Sequence, residues 1–410
     1  GDQKVQLSGT TIEDGQVRSK LTGTDIILPV RIEGNLVQAK SPGLVTQVLK
    51  YPDPARPKVS ITTSPTQPYV FAKDAETGRE YSISYGAIRY NDSDGKGDWP
   101  IMWSTPEDRK DIKSARRLSN GRILVVLKQA GGIFELWVSD LSEDTTKTFE
   151  KVLEFTNGYA YGPWGWDTTH EEVLLCSEYG EGNANRAYMS QDGGLSWVQI
   201  FEGPVPTDGS IFHIHAIAYD PYHSTIWLVS GDGKYRNIYY SYDWGNVWHS
   251  FWEEGTGLDF GTGVQFLSIS VMPHCILFGT DSKPDGIWRL QKNWRRGSYP
   301  KYTAEDLEYV YAVYKEDYPG VSQIFHSPVV VNGIHYHATW TSTNDRLYSH
   351  IIATPDGEHF YDIYKSRPFT QVMRGVRFLT TDGKALIGLY RDEDNVNKRF
   401  YMPLPDWKAI

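Results

Sequence analysis

The sequence predicts an all-β fold built from repeated four-stranded antiparallel sheets, and three observations support this prediction. Short β-rich runs alternate with Gly, Pro, Asn and Asp along the chain, whereas helical periodicity is nearly absent. One turn motif recurs at a nearly constant spacing. The 410 residues include 14 Trp, 27 Tyr and 15 Phe, which are side chains that strands favour. We therefore expect most aromatic rings to pack within and between sheets.

The recurring turn follows the pattern Ser/Thr-x-Asp-x-Gly-x-Ser/Thr-Trp/Phe, which is called the Asp box. Residues 190–197 match every position, residues 241–248 match all but one, and residues 142–149, 354–360 and 91–99 are eroded copies. The Asp carboxylate accepts N–H bonds inside a tight hairpin, the Gly supplies a positive φ, and the Trp is buried between sheets. The predicted structural residues of the two best boxes are Ser190, Asp192, Gly194, Trp197, Ser241, Asp243, Gly245 and Trp248.

The spacing of the boxes predicts the architecture. Boxes that begin at 142, 190 and 241 repeat about every 50 residues, which is the length of one propeller blade of four strands. The same strand plan recurs in six units that start near 113, 161, 213, 264, 325 and 375. The sequence therefore predicts a β-propeller, with six blades favoured and seven as the alternative.

The remaining segments complete the predicted domain organisation. Residues 1–60 form an extended or β leader, and residues 61–410 form the propeller. Residues 69–100 supply either an extra blade or strands that close the ring, and residues 303–317 hold one short helix or an inserted loop.

Composition excludes several classes of partner. The formal net charge of −10 argues against a general nucleic-acid binder and against docking on anionic membranes. No apolar run is long enough to cross a membrane, and the N-terminus lacks the pattern of a signal peptide. Cys176 and Cys275 lie in apolar runs, which predicts buried free thiols, with one disulfide as the alternative.

The strongest candidate site combines His213 and His215 with Asp232, Tyr235 and Arg236, and Asp220 lies nearby in the sequence. Residues two apart on a strand face the same side, so both imidazoles point together. His, Tyr and Arg are the groups that a polysaccharide lyase needs as base, acid and cation beside the enolate. The alternatives are a binding role, or histidines that only hold loops inside a blade. No metal is predicted here, because no third ligand lies at a defined spacing.

Four further residues are candidate ligand contacts. Two tryptophans form a sugar-stacking platform or pack centrally, and two acids align with Asp232 and line one rim. Paired carboxylates would suit glycoside hydrolysis. By contrast, His335 and His337 fall on a second strand, where core or inter-blade roles are expected. The four candidates are Trp164, Trp166, Glu178 and Asp281.

No cofactor is predicted from the sequence. Residues 92–98 and 392–397 place oxygen-bearing side chains at alternate positions, as calcium loops do. Acidic turns without a metal have the same composition, so calcium is retained only as an alternative at these two loops.

Over about residues 100–405 the boxes resemble those of sialidases and other BNR-repeat propellers. That resemblance implies the fold and is nearly silent on function. A sialidase also carries an Arg-Ile-Pro motif, but here Arg31 and Ile32 are followed by Glu33. A true sialidase is therefore disfavoured. Candidates for its arginine triad match by residue type only: Arg289, Arg374, Arg377 and Arg391.

Two segments resemble bacteriophage proteins. Residues 213–233 are similar to a segment of sialidase-like propellers from phages and prophages of Gram-positive bacteria, and the N-terminal residues resemble the leader of phage tail-associated proteins. The resemblance implies a virion-tail or extracellular protein that recognises a surface or cell-wall polysaccharide and contacts other tail proteins. A polysaccharide lyase or glycosidase is the alternative, since the His, Tyr and Arg set is similar to that of ulvan-lyase propellers. A structural or protein-binding propeller is the second alternative.

Overall fold

The computed structural model is almost entirely β. It describes residues 57–62, 69–84, 86–107, 111–142, 145–162, 165–180, 184–252, 264–282, 285–293, 299–312, 328–341 and 347–407, and the backbone of strands within 11–39 and 323–325. Two single-turn 3-10 helices, Gly233–Tyr235 and Ala304–Asp306, lie in these ranges, and no helix there is long and apolar enough to cross a membrane. The all-β prediction is confirmed.

Six short strands precede the repeated sheets. Three of them form one sheet and two form a hairpin within the segment predicted as a leader. They are β1 (Thr11–Glu13), β2 (Gln16–Leu21), β3 (Thr24–Leu28), β4 (Val30–Glu33), β5 (Leu36–Ala39) and β6 (Ser60–Thr62).

Five separate four-stranded antiparallel sheets follow, and each is a meander whose strands pair in sequence order. The first contains β7 (Tyr69–Lys73), β8 (Glu80–Ser84), β9 (Ala87–Asn91) and β10 (Ile101–Ser104). The second contains β11 (Asp111–Arg117), β12 (Ile123–Lys128), β13 (Phe134–Ser139) and β14 (Phe149–Glu154). The third contains β15 (Trp166–Asp167), β16 (Leu174–Ser177), β17 (Arg186–Ser190) and β18 (Val198–Glu202). The fourth contains β19 (His213–Asp220), β20 (Thr225–Gly231), β21 (Asn237–Ser241) and β22 (His249–Ser250). The fifth contains β23 (Phe266–Val271), β24 (Cys275–Thr280), β25 (Gly286–Gln291) and β26 (Leu307–Ala312).

The last sheet has nine strands and contains two meanders. Its strands are β27 (Gln323–Phe325), β28 (Val329–Val331), β29 (Ile334–Thr341), β30 (Leu347–Thr354), β31 (Tyr361–Phe369), β32 (Gly375–Thr381), β33 (Ala385–Arg391) and β34 (Asn397–Pro403), with β6 beside β34. Only the pairing of Trp340 with Gly375 joins β29 to β32. Counted separately, β28–β31 and β32–β34 with β6 bring the described four-stranded groups to seven. The blade number itself stays a prediction.

The first strands of these groups surround a common channel. At one end of it, a cavity of about 360 Å³ is lined by side chains from every group. They include Phe71, Arg116, Trp166, Ile217, Ile269, Val330 and Leu379. This arrangement is that of a β-propeller, as the spacing predicted.

The two best turn motifs pack each sheet against the preceding one. Asp192 accepts hydrogen bonds from the N–H of Leu195 at 3.0 Å and of Ser196 at 2.9 Å. Gly194 has a φ of +88°, and a Cβ there would lie 2.7 Å from Leu124 in the preceding sheet. In the next sheet, Trp248 Nε1 donates to the carbonyl of Ile200 at 2.7 Å. The glycine and the tryptophan of the motif therefore allow neighbouring sheets to pack closely, in addition to forming the turn.

The structure also describes one eroded copy of the motif, the two cysteines and part of the stretch 303–317. In the eroded copy at 142–149, Asp140 accepts the Thr148 hydroxyl at 2.8 Å, while Asp144 lies outside the described residues. Cys176 and Cys275 are buried free thiols, as predicted. The stretch 303–317 contributes one 3-10 turn and then β26, and its residues after Ala312 lie outside the described ranges.

Candidate functional site

One end of the channel collects the polar residues of the predicted site. In an antiparallel pair, the start of one strand lies beside the end of the next. His213 accordingly pairs with Gly231, which places Asp232 beside it. In the following sheet, Phe266 pairs with Thr280, so Asp281 lies at the same end. We call this the histidine end. The cavity described above lies toward the other end of the same inner strands.

His213, His215 and Asp232 form a compact cluster. The Nε2 atoms of the two histidines are 2.9 Å apart, and His213 Nε2 lies 3.1 Å from Asp232 Oδ2. His215 Nδ1 lies 2.7 Å from the carbonyl oxygen of Phe266. Because a carbonyl only accepts, Nδ1 carries the proton and Nε2 presents its lone pair. The side-chain amide of Gln265 donates to Asp232 Oδ1.

Burial and proximity set the charges of the cluster. Burial, reinforced by the neighbouring His213, lowers the pKa of His215 to about 4. The hydrogen bond from His213 lowers the pKa of Asp232 to about 2 despite partial burial. Burial and the charge of Asp232 raise the pKa of Asp281 to about 7. At neutral pH His215 is therefore neutral and Asp232 is anionic.

Gly231 makes room for the cluster. An ideal Cβ at this position would lie 2.0 Å from Cε1 of His215. No side chain fits between β20 and that imidazole, so the ring position requires a glycine at 231.

The other two members of the predicted set make contacts of their own. The ring of Tyr235 packs against Phe212, with ring centroids 6.3 Å apart, and its carbonyl accepts the Ser230 hydroxyl at 2.7 Å. The carbonyl of Arg236 accepts the indole N–H of Trp252 at 2.7 Å. Catalytic roles for Tyr235 and Arg236 stay predictions.

Of the three candidate ligand contacts that the structure describes, Asp281 lies by the cluster, near enough to Asp232 for its charge to act on it. Trp166 is 4% exposed and donates from Nε1 to Ser114 Oγ at 3.2 Å. Trp164 lies outside the described residues. Glu178 is fully buried and accepts the N–H of Thr156 at 2.7 Å. Contact of Trp166 or Glu178 with a ligand stays a prediction, and both side chains pack inside the sheets.

His335 of the second histidine pair and acids of the two proposed calcium loops make contacts away from the cluster. His335 on β29 is buried, and its Nδ1 meets the Ser270 hydroxyl of the preceding sheet, in keeping with an inter-blade role. In the proposed calcium loops the acids contact cations. Asp92 pairs with Arg79 at 2.6 Å, Asp94 with Lys73 at 2.9 Å and Asp392 with Lys398 at 2.8 Å.

Two tyrosines that the sequence did not single out extend the cluster. The ring of Tyr179 lies 4.7 Å from that of His213 between centroids, and Tyr161 lies 5.4 Å from Tyr179. Burial raises the pKa of Tyr179 to about 12, with a smaller contribution from Asp232. Tyr161 in turn lies close enough to Arg377 to raise the pKa of its guanidinium, against the larger effect of burial. A continuous path of side chains therefore joins the histidines to the arginines of the last meander.

Three arginines meet at this end, although the sequence matched them only by type. Burial and the neighbouring Arg391 lower the pKa of Arg377 to about 10, and burial with Arg374 nearby lowers that of Arg391. Among the described residues, no carboxylate lies within ion-pair distance of Arg374, Arg377 or Arg391. By contrast, Arg289 pairs with Glu308 at 2.7 Å on an outer strand. The sequence signal that could have identified these three arginines is their position in the alignment of the repeated strands.

Comparisons with known proteins support the fold and no more. No family model and no curated protein matches the chain. One of two prolyl endopeptidases is 11% identical over 85% of this chain and 50% of its own, with a TM-score of 0.53. The GH74 enzyme from Niastella koreensis is 12% identical over 81% of this chain and 59% of its own, with a TM-score of 0.43. The β-propeller domain of Cps50 (Swd1) from Myceliophteria thermophila is 10% identical over 84% of this chain and 99% of its own, with a TM-score of 0.49. This chain therefore spans only about half of the first two, and the likeness shows a β-propeller alone.

Proposed function

We propose that this chain is a carbohydrate-recognising propeller of a phage or prophage tail that binds an acidic surface or cell-wall polysaccharide at the histidine end. The observation that carries the proposal is the group Arg374, Arg377 and Arg391, which has no carboxylate partner among the described residues. Arg374 and Arg377 are each 8% exposed, and buried cations without a counterion favour an anionic ligand.

The surrounding side chains suit a sugar ligand. A guanidinium offers parallel N–H donors that match a carboxylate, so Arg377 and Arg391 would bind the acidic group of a uronate or a similar sugar. Tyr161 and Tyr179 offer rings for stacking on the pyranose and hydroxyls for hydrogen bonds. Because the whole chain has a net charge of −10, the attraction to an acidic polymer must be local to this end.

Binding to a panel of purified polysaccharides and to bacterial cell walls tests the proposal. The wild-type chain should bind a carboxylate-bearing polymer with an affinity that falls as salt rises. Arg377→Gln should weaken binding at least about tenfold, the usual scale for a hydrogen-bonded charge. Arg186→Gln removes a partly buried arginine that pairs with Glu202 at 2.9 Å on outer strands, and it is the matched control. Binding to no acidic polymer, or equal binding by Arg377→Gln, would overturn the proposal.

A polysaccharide lyase is the second candidate, favoured by the contact of His213 with Asp232 and by the nearby tyrosines and arginines. His213 would remove the proton α to the uronate carboxyl, a tyrosine would protonate the leaving oxygen, and Arg377 would stabilise the enolate. The ultraviolet absorbance of the unsaturated product measures turnover directly. If His213→Ala turns over an acidic polysaccharide as fast as the wild type, His213 is not the base.

A further inference from the structure

We propose that His213, His215 and Asp232 form a binding site for one divalent transition-metal ion, with Zn²⁺ as the best match. The inference goes beyond polysaccharide binding and stands without it, because metal binding is measured with no polymer present. It rests on the geometry of three side chains and on the groups that orient them.

The ligand atoms converge as a metal site requires. All three lie within 4.8 Å of one another. The two Nε2 atoms are 2.9 Å apart, His213 Nε2 lies 3.1 Å from Asp232 Oδ2, and His215 Nε2 lies 4.0 Å from the other carboxylate oxygen, Oδ1. Tetrahedral Zn²⁺ with bonds near 2.0–2.1 Å places its ligand atoms about 3.3 Å apart. Small rotations of the imidazoles and the carboxylate reach that geometry.

Neighbouring groups hold the ligands in the orientation that metals need. The carbonyl of Phe266 accepts the Nδ1–H of His215 at 2.7 Å, which leaves Nε2 free to bind an ion. The amide of Gln265 donates to Asp232, and Gly231 leaves the space that the His215 ring fills. Hydrogen-bonded partners of this kind are typical of metal ligands.

Without a metal ion, the cluster has fewer hydrogen-bond donors than acceptors. The lone pair of His215 Nε2 and the Oδ2 atom of Asp232 are both acceptors. A ring nitrogen carries one proton at most, so His213 Nε2 has a single proton to share between them. His215 is 2% exposed, so little water reaches its Nε2 to supply the missing donor. A single cation satisfies all three ligand atoms at once.

A bound ion would keep one coordination position that no protein ligand occupies. Three protein ligands leave a fourth place for water or for an oxygen of a bound molecule, as in catalytic zinc sites. The side chain of Asp232 is 49% exposed, so this place faces solvent at the channel end. With both Nε2 atoms on a metal, His213 no longer serves as the base of a lyase. The metal reading therefore replaces that role.

Isothermal titration calorimetry of the chelator-treated 410-residue chain with Zn²⁺ tests the inference. The absorbance spectrum of bound Co²⁺ reports the coordination geometry. One ion should bind per chain. Asp232→Asn changes a half-exposed side chain and should keep the fold, but it should lower the affinity about 100-fold or more. Gln265→Leu should lower it about tenfold, the scale for orienting partners.

Two comparisons make the result decisive. His223→Gln alters a histidine that lies 3.3 Å from Asp220, away from the cluster, and should bind Zn²⁺ as the wild type does. Arg377→Gln should lose polysaccharide but keep the metal, which separates failure of this inference from failure of the proposed function. The inference is overturned if the wild-type chain binds no Zn²⁺ or Co²⁺ at one ion per chain, or if Asp232→Asn, with its circular dichroism unchanged, binds them equally well.

Discussion

Arg399 on the last strand and Glu80 in the first four-stranded sheet form a two-point ion pair, although they are 319 positions apart in the sequence. Arg399 Nε lies 3.0 Å from Glu80 Oε2, and Glu80 is fully buried. Lys73 Nζ approaches the same carboxylate at 3.6 Å. The contact joins the two ends of the ring of sheets.

Arg399→Met should therefore lower the free energy of unfolding by about 3–5 kcal/mol, because it leaves Glu80 buried with a weaker partner. Urea denaturation followed by tryptophan fluorescence measures the change. The double variant Arg399→Met/Glu80→Leu should recover most of the loss, since it removes both buried charges. An Arg399→Met chain as stable as the wild type would contradict a role in ring closure.

A second buried pair links the fourth and fifth sheets. Lys292 Nζ lies 2.6 Å from Asp220 Oδ2, and both side chains are 1% exposed. Burial alone would raise the pKa of Asp220, but Lys292 and His223 reverse this and hold it below its usual 3.8. Asp220→Asn should cost about 3–5 kcal/mol of stability at neutral pH, because Lys292 is then buried without its counterion.

The same pair predicts an acid dependence. A carboxyl with a depressed folded pKa adds stability above pH 3.8, and this stability is lost as the pH falls through the folded value. The stability advantage of the wild type over Asp220→Asn should therefore shrink below pH 3.8. Denaturation curves at a series of acidic pH values report this difference, and a constant difference would refute the coupling.

Gly231→Ala should disturb the histidine cluster directly. The new Cβ would lie 2.0 Å from the His215 ring, so the imidazole must move. We expect a loss of about 1–3 kcal/mol in unfolding free energy, the usual cost of overpacking. Gly131→Ala, whose Cβ would meet nothing within 4 Å, is the control. Thermal melts that show equal losses for both variants would disprove the steric argument.

Asp192→Ala tests the turn of the best motif. Asp192 accepts bonds from two backbone N–H groups and from the hydroxyls of Ser190 and Ser196. The turn is exposed, so we expect a modest cost of about 1–2 kcal/mol. Asp208→Ala removes an exposed carboxylate bonded to Lys234 and should cost less than about 0.5 kcal/mol. Chemical denaturation compares the two, and a smaller effect at Asp192 would be inconsistent with the structure.

The parts of the fold that the sequence predicted depend on local chemistry. The hydrogen bonds that Asp192 accepts come from residues within four positions, so the motif can be recognised in one short segment. The interval between its copies then predicts the length of one four-stranded sheet. The same locality explains why His213 and His215 share a face of β19. What the sequence did not show is how many four-stranded groups the ring contains, since β6 completes a sheet whose other strands lie at the far end of the chain.

The unforeseen parts of the site depend on contacts between sheets. His215 is oriented by Phe266, which is 51 positions away, and Tyr179 reaches His213 from the preceding sheet. No motif marks such neighbours. Tyr235 follows Asp232 by three positions, which predicts a shared site, yet the 3-10 turn at Gly233–Tyr235 brings its ring to Phe212 instead. Adjacency in a loop did not imply adjacency in space.

The strand β6 has a kinetic consequence. It pairs with β34 through Ser60, Ile61 and Thr62, so the final sheet gains its outer strand from the opposite end of the sequence. Such non-local pairing forms slowly, because most of the chain must be ordered before the two strands meet. Until then β34 presents an unpaired edge, which is where another chain can add a strand. We therefore expect misassembly during refolding to begin at the edge of β34.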